Sequence, residues 1–195
     1  MNRSSQLKRA TKETEIEVEL SIDGTGVHEI DTPIPFLDHM LAQFSRHGFF
    51  DLKIKAKGDV HIDFHHTVED VGIALGQAFK EALGDKKGIR RFASASVPLN
   101  EALANCVVDI SGRAFFVFNL DFPKAKIGEF DVELVAEFFQ AFAANSGITL
   151  HLDSPYWTNL HHIVEALFKS FAKALDHASS LDPRSGEIPS TKGAL

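Results

Sequence analysis

Two stretches of this chain carry the same reactive side chains in the same order: His65-His66-Thr67-Val68-Glu69 and His161-His162-Ile163-Val164-Glu165. They are offset by 96 residues, close to half of the 195. On a helix, adjacent residues point about 100° apart, whereas i and i+3 or i+4 share a face. Each glutamate can therefore join either histidine at one cation, while the other histidine turns toward a second cation. Two copies predict two metal sites, with both halves supplying both. Imidazole and carboxylate donors together suit Mn, Fe or Zn. More than four donors without a thiolate favours an octahedral Mn or Fe site over structural zinc. A single such pair would read as a solvated or capping feature of a helix start. Packing alone gives no reason for both His and Glu to recur.

The elements that must position these motifs recur as well. Residues 36–44 form an amphipathic helical stretch ending near Gly48, and residues 134–142 form another ending near Gly147. Each leads into a strand-like segment, 51–56 or 149–152, and then into a His-His helix predicted over 66–83 or 161–177. Val68, Val71, Leu75 and Phe79 share one face, as do Val164, Leu167, Phe171 and Leu175. Ahead of the helices, Ile16, Val18, Leu20 and Ile22 alternate up to Asp23-Gly24-Thr25-Gly26, which predicts a hairpin. Val107, Val108 and Ile110 lead in the same way into Ser111-Gly112-Arg113, with residues 115–118 beyond. The fold class read from this is α+β. It is an internal duplication of two βαβα-type halves, 1–89 and 90–178, with four helices packed between two mostly antiparallel sheets. Residues 179–195 are rich in Ser, Pro and Gly and read as an extended tail.

Composition narrows the function classes. Lys and Arg total 20 against 27 Asp and Glu, a formal net charge of −7, which argues against a general nucleic-acid binder. One cysteine, Cys106, excludes a disulfide framework and a thiolate-rich zinc site. No apolar run is long enough for a membrane-spanning helix, and residues 1–10 lack the apolar core of a secretory signal. A cytoplasmic protein is expected. The seventeen Phe residues, beside one Trp and one Tyr, read as core and subunit packing.

Several ordered motifs together resemble one family, the imidazoleglycerol-phosphate dehydratases. They are Arg9-x-Thr11-x-Glu13-Thr14, Asp23-Gly24-Thr25-Gly26, Leu37-Asp38-His39-Met40-Leu41 and His65-His66-Thr67-Val68-Glu69-Asp70. Further on come Ser111-Gly112-Arg113, Thr149-Leu150-His151-Leu152, His161-His162-Ile163-Val164-Glu165 and Pro189-Ser190-Thr191-Lys192-Gly193. The resemblance covers essentially the whole chain. It implies a hydro-lyase of histidine biosynthesis that converts imidazole glycerol phosphate to imidazole acetol phosphate and water.

The same resemblance implies two Mn2+ ions per active site, with His39, His65, His66, Glu69, Glu137, His161, His162 and Glu165 as ligands. Many members have histidine where this chain has Glu137. The repeat supports that position, since His39 precedes His65 by 26 residues and Glu137 precedes His161 by 24. The implied mechanism passes through a metal-bound imidazolate that expels the adjacent hydroxyl, with Glu165 as base or base-ligand and Glu13 at the glycerol hydroxyls. For the substrate, and its phosphate in particular, the resemblance points to Gln43, His47, Arg91, Arg113, Lys169, Ser190, Thr191 and Lys192, with the tail ordering over the phosphate. Residue types alone would leave Lys86, Lys87, Arg90 and Arg91 as a solvated basic loop. His28, His61, His151 and His177 are expected to be structural or surface residues. The resemblance also implies a homo-oligomer of 24 subunits with active sites between subunits, and no nucleic-acid or membrane partner. Two other classes share the ligands: a dinuclear metallohydrolase, and a non-catalytic metal-binding assembly module without a phosphate pocket.

Overall fold

The computed structural model describes residues 3–195. Strands β1 (Ser4–Ala10), β2 (Thr14–Ser21), β3 (His28–Asp31) and β4 (Asp51–Gly58) form one sheet in the order β1-β2-β4-β3. Strands β5 (Phe92–Leu99), β6 (Ala102–Asp109), β7 (Phe115–Asn119) and β10 (Thr149–Tyr156) form a second, in the equivalent order β5-β6-β10-β7. A two-stranded ribbon, β8 (Lys126–Ile127) with β9 (Phe130–Asp131), belongs to the second half. The helices are α1 (Pro35–Gly48), α2 (His65–Leu83), α3 (Leu134–Ser146) and α4 (Leu160–Ser179). Helix α2 packs on β1 and β2, and α4 packs on β5 and β6. Across the halves α2 meets α3 and α1 meets α4. Four helices thus lie between two mostly antiparallel sheets, the α+β duplication expected. Each half places three strands of its four-stranded sheet before its first helix, two more than a plain βαβα pattern, and the second half adds the β8–β9 ribbon.

Alternation along β2 explains the first sheet. Ile16, Val18 and Leu20 are buried opposite Ala56, Ile54 and Leu52. The intervening Glu15, Glu17 and Glu19 face outward, opposite Lys57, Lys55 and Lys53. The buried face fixes this register, and opposite charges across the strand pair favour the same one.

The two expected hairpins are corrected by this pairing. The chain does not fold back on β2 after Asp23-Gly24-Thr25-Gly26. β4 takes the place beside β2, and β3 pairs parallel to β4 on its far side. In the second half β7 likewise runs parallel to β10. A slot beside β2 demands a long strand with a buried apolar face, which β4 has. The four-residue β3, three of whose residues are exposed, suits an edge.

Between the sheets the core is aromatic. Phe44 stacks on Phe171 at 5.5 Å, and Phe142 meets Phe171 edge-on at 5.0 Å, joining α1, α3 and α4. Phe79 of α2 reaches Phe142 at 5.8 Å. Four helices are thereby tied at one centre, so the N-terminal turns that carry the histidines keep fixed relative positions. Gly48 leaves room for Phe50, whose ring lies 2.4 Å from where a Cβ would be; the left-handed cap falls on Phe49 instead. Among the described residues, no helix is long and apolar enough to cross a membrane.

The tail does not trail away from the fold. Gly88 N–H donates to Glu187 O at 2.9 Å, Asp182 N–H to Gly88 O at 2.7 Å and Arg90 N–H to Ser180 O at 2.9 Å. These bonds lay residues 180–187 along the loop before β5.

Candidate metal centre

Helices α1 and α4 face each other with side chains spaced by one turn. On α1 the row is His39, Gln43 and His47; on α4 it is His161, Glu165, Lys169 and Lys173. His39 Nε2 lies 3.1 Å from Glu165 Oε2, and His161 Nε2 lies 3.2 Å from the same oxygen. The donor atoms of His39, His161 and Glu165 all fall within 4.8 Å of one another. One histidine comes from the first half of the chain, and the other with its glutamate from the second. The two imidazole rings stand 5.5 Å apart, and Phe36 packs edge-on against His161 at 5.4 Å. Two imidazoles and one carboxylate, without a thiolate, are a donor set that divalent Mn or Fe accepts. Cys106 cannot compete, because it is fully buried and burial pushes its thiol up.

Glu165 is held ionised. Its side chain is only 12% exposed, and burial works against charge, but Lys169 Nζ lies 2.6 Å from Oε1. That ammonium and His39 outweigh burial and hold the carboxyl below its ordinary range. His47 is pressed below its ordinary value by burial first, then by Lys169 and Lys173. It lies 3.2 Å from Gln43 Oε1. Gln43, His47 and Lys169 therefore belong to the same helix-pair face as the metal donors.

The other expected ligands are placed differently. His65 Nε2 is 3.9 Å from Glu69 Oε2, and both side chains are nearly half exposed. Among the described residues, no third donor joins them within 4.8 Å. Glu137 stands in the first turn of α3, half-buried, and does not meet them within that distance. His66 and His162, the second histidine of each pair, each turn aside to a carboxylate. His66 Nδ1 is 2.9 Å from Asp59 Oδ2, and His162 Nδ1 is 2.9 Å from Glu101 Oε2. The His162 bond holds Glu101 down at about 2, and the Asp59 bond raises His66.

The first turn of α4 is capped by Asn159, and that of α2 is met by Asp63 just ahead of it. Asp63 Oδ1 accepts from His65 N–H at 2.8 Å. Asn159 Oδ1 accepts from His162 N–H at 3.1 Å, and Glu101 Oε1 in turn accepts from Asn159 N–H at 2.9 Å. Sequence reading missed Asp59 and Glu101. A usable signal existed for Glu101, which sits in the β5–β6 turn as Glu13 sits in the β1–β2 turn. Asp70 was missed in its role too. Buried between Arg9, at 2.8 Å, and the Thr14 hydroxyl, it clamps the turn bearing Glu13 onto α2. The Glu13 carboxylate itself is exposed, and its charge is felt at His66.

A second polar region lies at the tail. Arg91, Arg113, Ser190, Thr191 and Lys192 all line one cavity of about 790 Å3. Arg91 is fixed there by paired bonds to Asp109 at 2.7 and 3.2 Å and by donating to Pro189 O at 2.9 Å. None of the histidines lines this cavity. Apart from Glu13 in the β1–β2 turn, the expected substrate residues of one chain thus fall into two groups: those beside Glu165 and those under the tail. His28, His61, His151 and His177 are all solvent-exposed and stand apart from both groups.

A duplicated α+β protein with a histidine–carboxylate centre spanning its halves is the class that fold and site define. The family model for imidazoleglycerol-phosphate dehydratase matches residues 32–175. Imidazoleglycerol-phosphate dehydratases of Geobacter metallireducens and Citrifermentans bemidjiense are 58% and 59% identical over 195 residues, covering all of both chains. The crystal structure of the Staphylococcus aureus imidazoleglycerol-phosphate dehydratase is 40% identical with a TM-score of 0.83, covering 92% of this chain and 99% of that one. The Pyrococcus furiosus structure is 36% identical with the same TM-score, covering 97% and 100%. The chain belongs to the imidazoleglycerol-phosphate dehydratase family, a family of hydro-lyases.

Proposed function

We propose that this chain dehydrates imidazole glycerol phosphate to imidazole acetol phosphate and water in histidine biosynthesis, with manganese at its histidine–carboxylate centre. The observation that carries the reading is the convergence of His39 and His161 on one oxygen of an ionised, largely buried glutamate, in a chain of this family. His39, His161 and Glu165 would hold one ion; His65, His66, Glu69, Glu137 and His162 are the remaining donors. Two manganese ions per active site would supply Lewis-acid chemistry toward the substrate's imidazole.

The chain's own residues then handle protons and orientation. The carbon bearing the second hydroxyl gives up its proton to Glu165, which Lys169 keeps as a carboxylate. The hydroxyl beside the imidazole leaves as water once that proton is passed on to it, and the enol that remains becomes the ketone. Glu13, exposed and free of hydrogen bonds at its carboxylate among the described residues, is assigned to the glycerol hydroxyls. Arg113, Ser190, Thr191 and Lys192 are assigned to the phosphate, with Arg91 holding the tail segment 189–192 in place. On this reading the chain comprises two repeats, 1–89 and 90–178, and a tail that closes over the phosphate.

Among the described residues, one chain brings three donors together, while His65 and Glu69 stand half-open to solvent. This supports an oligomer, 24 subunits by family resemblance, whose neighbours complete each site. The outer face of the second sheet fits a subunit contact, since Phe92, Val107 and Phe115 are exposed there. The test is conversion of imidazole glycerol phosphate by metal-free protein with and without added Mn2+, read as formation of the enolisable ketone. Turnover that requires Mn2+ is expected. Absence of product from manganese-loaded protein overturns the reading, and release of inorganic phosphate from esters lacking an imidazole would indicate a hydrolase instead.

A further inference from the structure

The second histidine of each pair meets a carboxylate through the same atom at the same distance, yet the two carboxylates come from unrelated places in the fold. Asp59 follows β4, whereas Glu101 sits in the β5–β6 turn. Strict duplication would have placed Glu13, the β1–β2 turn residue, against His66, as Glu101 lies against His162. Instead Asp59 takes His66 Nδ1 at 2.9 Å, and the Glu13 carboxylate is left without a hydrogen bond among the described residues.

Asp59 uses its two oxygens unequally. Its side chain is 13% exposed, and among the described residues Oδ1 is buried without a hydrogen-bond partner. An unpaired buried oxygen destabilises the fold. What the position offers in return is the Oδ2 contact to His66.

We infer that Asp59 and Glu101 are positioning residues that set the tautomer of His66 and His162 for metal binding. An ionised carboxylate only accepts hydrogen bonds, so Nδ1 of each imidazole must donate. The Nε2 lone pair is then free, and each ring is held in one orientation. Outer carboxylates of this kind both orient a ligating imidazole and strengthen it as a donor. Glu101 also accepts from Asn159 N–H, so the group that aims His162 is tied to the cap of the helix that carries it. The division of labour between the halves follows: because Asp59 takes His66, Glu13 stays available for substrate, while Glu101 is committed to structure. The inference rests on the manganese reading above.

The test uses Asp59→Ala, Asp59→Asn, Glu101→Ala and Glu101→Gln with two readouts. Long-range 1H–15N spectra of the metal-free protein report the tautomer of each imidazole. Electron paramagnetic resonance of free Mn2+ reports affinity. Wild type is expected to show His66 and His162 with Nδ1 protonated and to bind Mn2+. The alanine variants are expected to lose that tautomer preference at the affected histidine alone and to weaken Mn2+ binding about 10- to 100-fold. The Asn and Gln variants, which keep shape, should fall in between and guard against loss of fold. A wild type with Nε2 protonated, or folded variants that bind Mn2+ within about twofold of wild type, overturns the inference. A wild type that binds no Mn2+ overturns the manganese reading instead.

Discussion

Glu165 carries three demands at one side chain: it meets two imidazoles through Oε2 and an ammonium through Oε1. Replacing it with Gln removes the acceptor of the reaction's proton while keeping shape. Turnover should fall on the order of 100- to 10,000-fold with the thermal transition little changed; near-normal turnover with metals retained would sink the assignment. Lys169 tests the electrostatics behind it. In Lys169→Gln, burial acts on Glu165 with less opposition, so its titration in the metal-free protein should move upward, followed by 13C resonance of the carboxyl. The sign carries into stability. A lowered carboxyl contributes stability that is present above its unfolded-state value, near 4.5, and is lost as pH falls through the folded value. Lys169→Gln should shrink that acid-side slope. The pairing of His161 with Glu165 was legible as an i, i+4 spacing. Asp59 was not, because nothing in its neighbourhood in the chain shows that His66 will turn toward it.

At the scale of elements, the helix pairs decide which donors meet. Helix α2 approaches α3 across Gly72 and Gly76, one turn apart. A Cβ at Gly72 would lie 2.8 Å from the Phe138 carbonyl oxygen, and one at Gly76 would lie 2.7 Å from that of Phe142. In an exposed helix, Gly→Ala stabilises by about 1 kcal/mol. Here the obstacle is backbone that cannot step aside, and overpacking costs about 1–3 kcal/mol. Gly76→Ala should therefore lower the thermal midpoint despite its better helix propensity, by roughly 2–4 °C for each net kcal/mol lost. An unchanged or raised midpoint in calorimetry would refute the close-approach argument. Helix positions were readable from apolar spacing to within a few residues, as α1 ending at Gly48 and α3 capped by Gly147 show. The strand neighbours of β2 and β6 were not. A turn signal marks where a strand ends, and says nothing of a later strand that takes the adjacent slot.

Over the whole molecule, the tail meets the second half at Arg91. That residue binds Asp109 on one side and the Pro189 carbonyl on the other, so it ties the second sheet to the segment bearing Ser190, Thr191 and Lys192. Ending the chain after Ile188 removes these three and opens the cavity. The expected outcome is a KM for imidazole glycerol phosphate raised about tenfold or more, equivalent to about 1.4 kcal/mol of binding, with Mn2+ affinity unchanged. A KM equal to that of the full chain would count against phosphate capture by the tail.

The sequence by itself determined the duplication, the helical faces, the family and the types of donor, because these depend on periodicity and residue identity along the chain. Tertiary structure alone decided that His39 joins His161 and Glu165, that Asp59 and Glu101 take the second histidines, and that the tail folds back beside Arg91. The physical reason is that each of these is a meeting of groups from distant segments. Such meetings are fixed by how four apolar helix faces share one core between two sheets, and no local pattern encodes that choice.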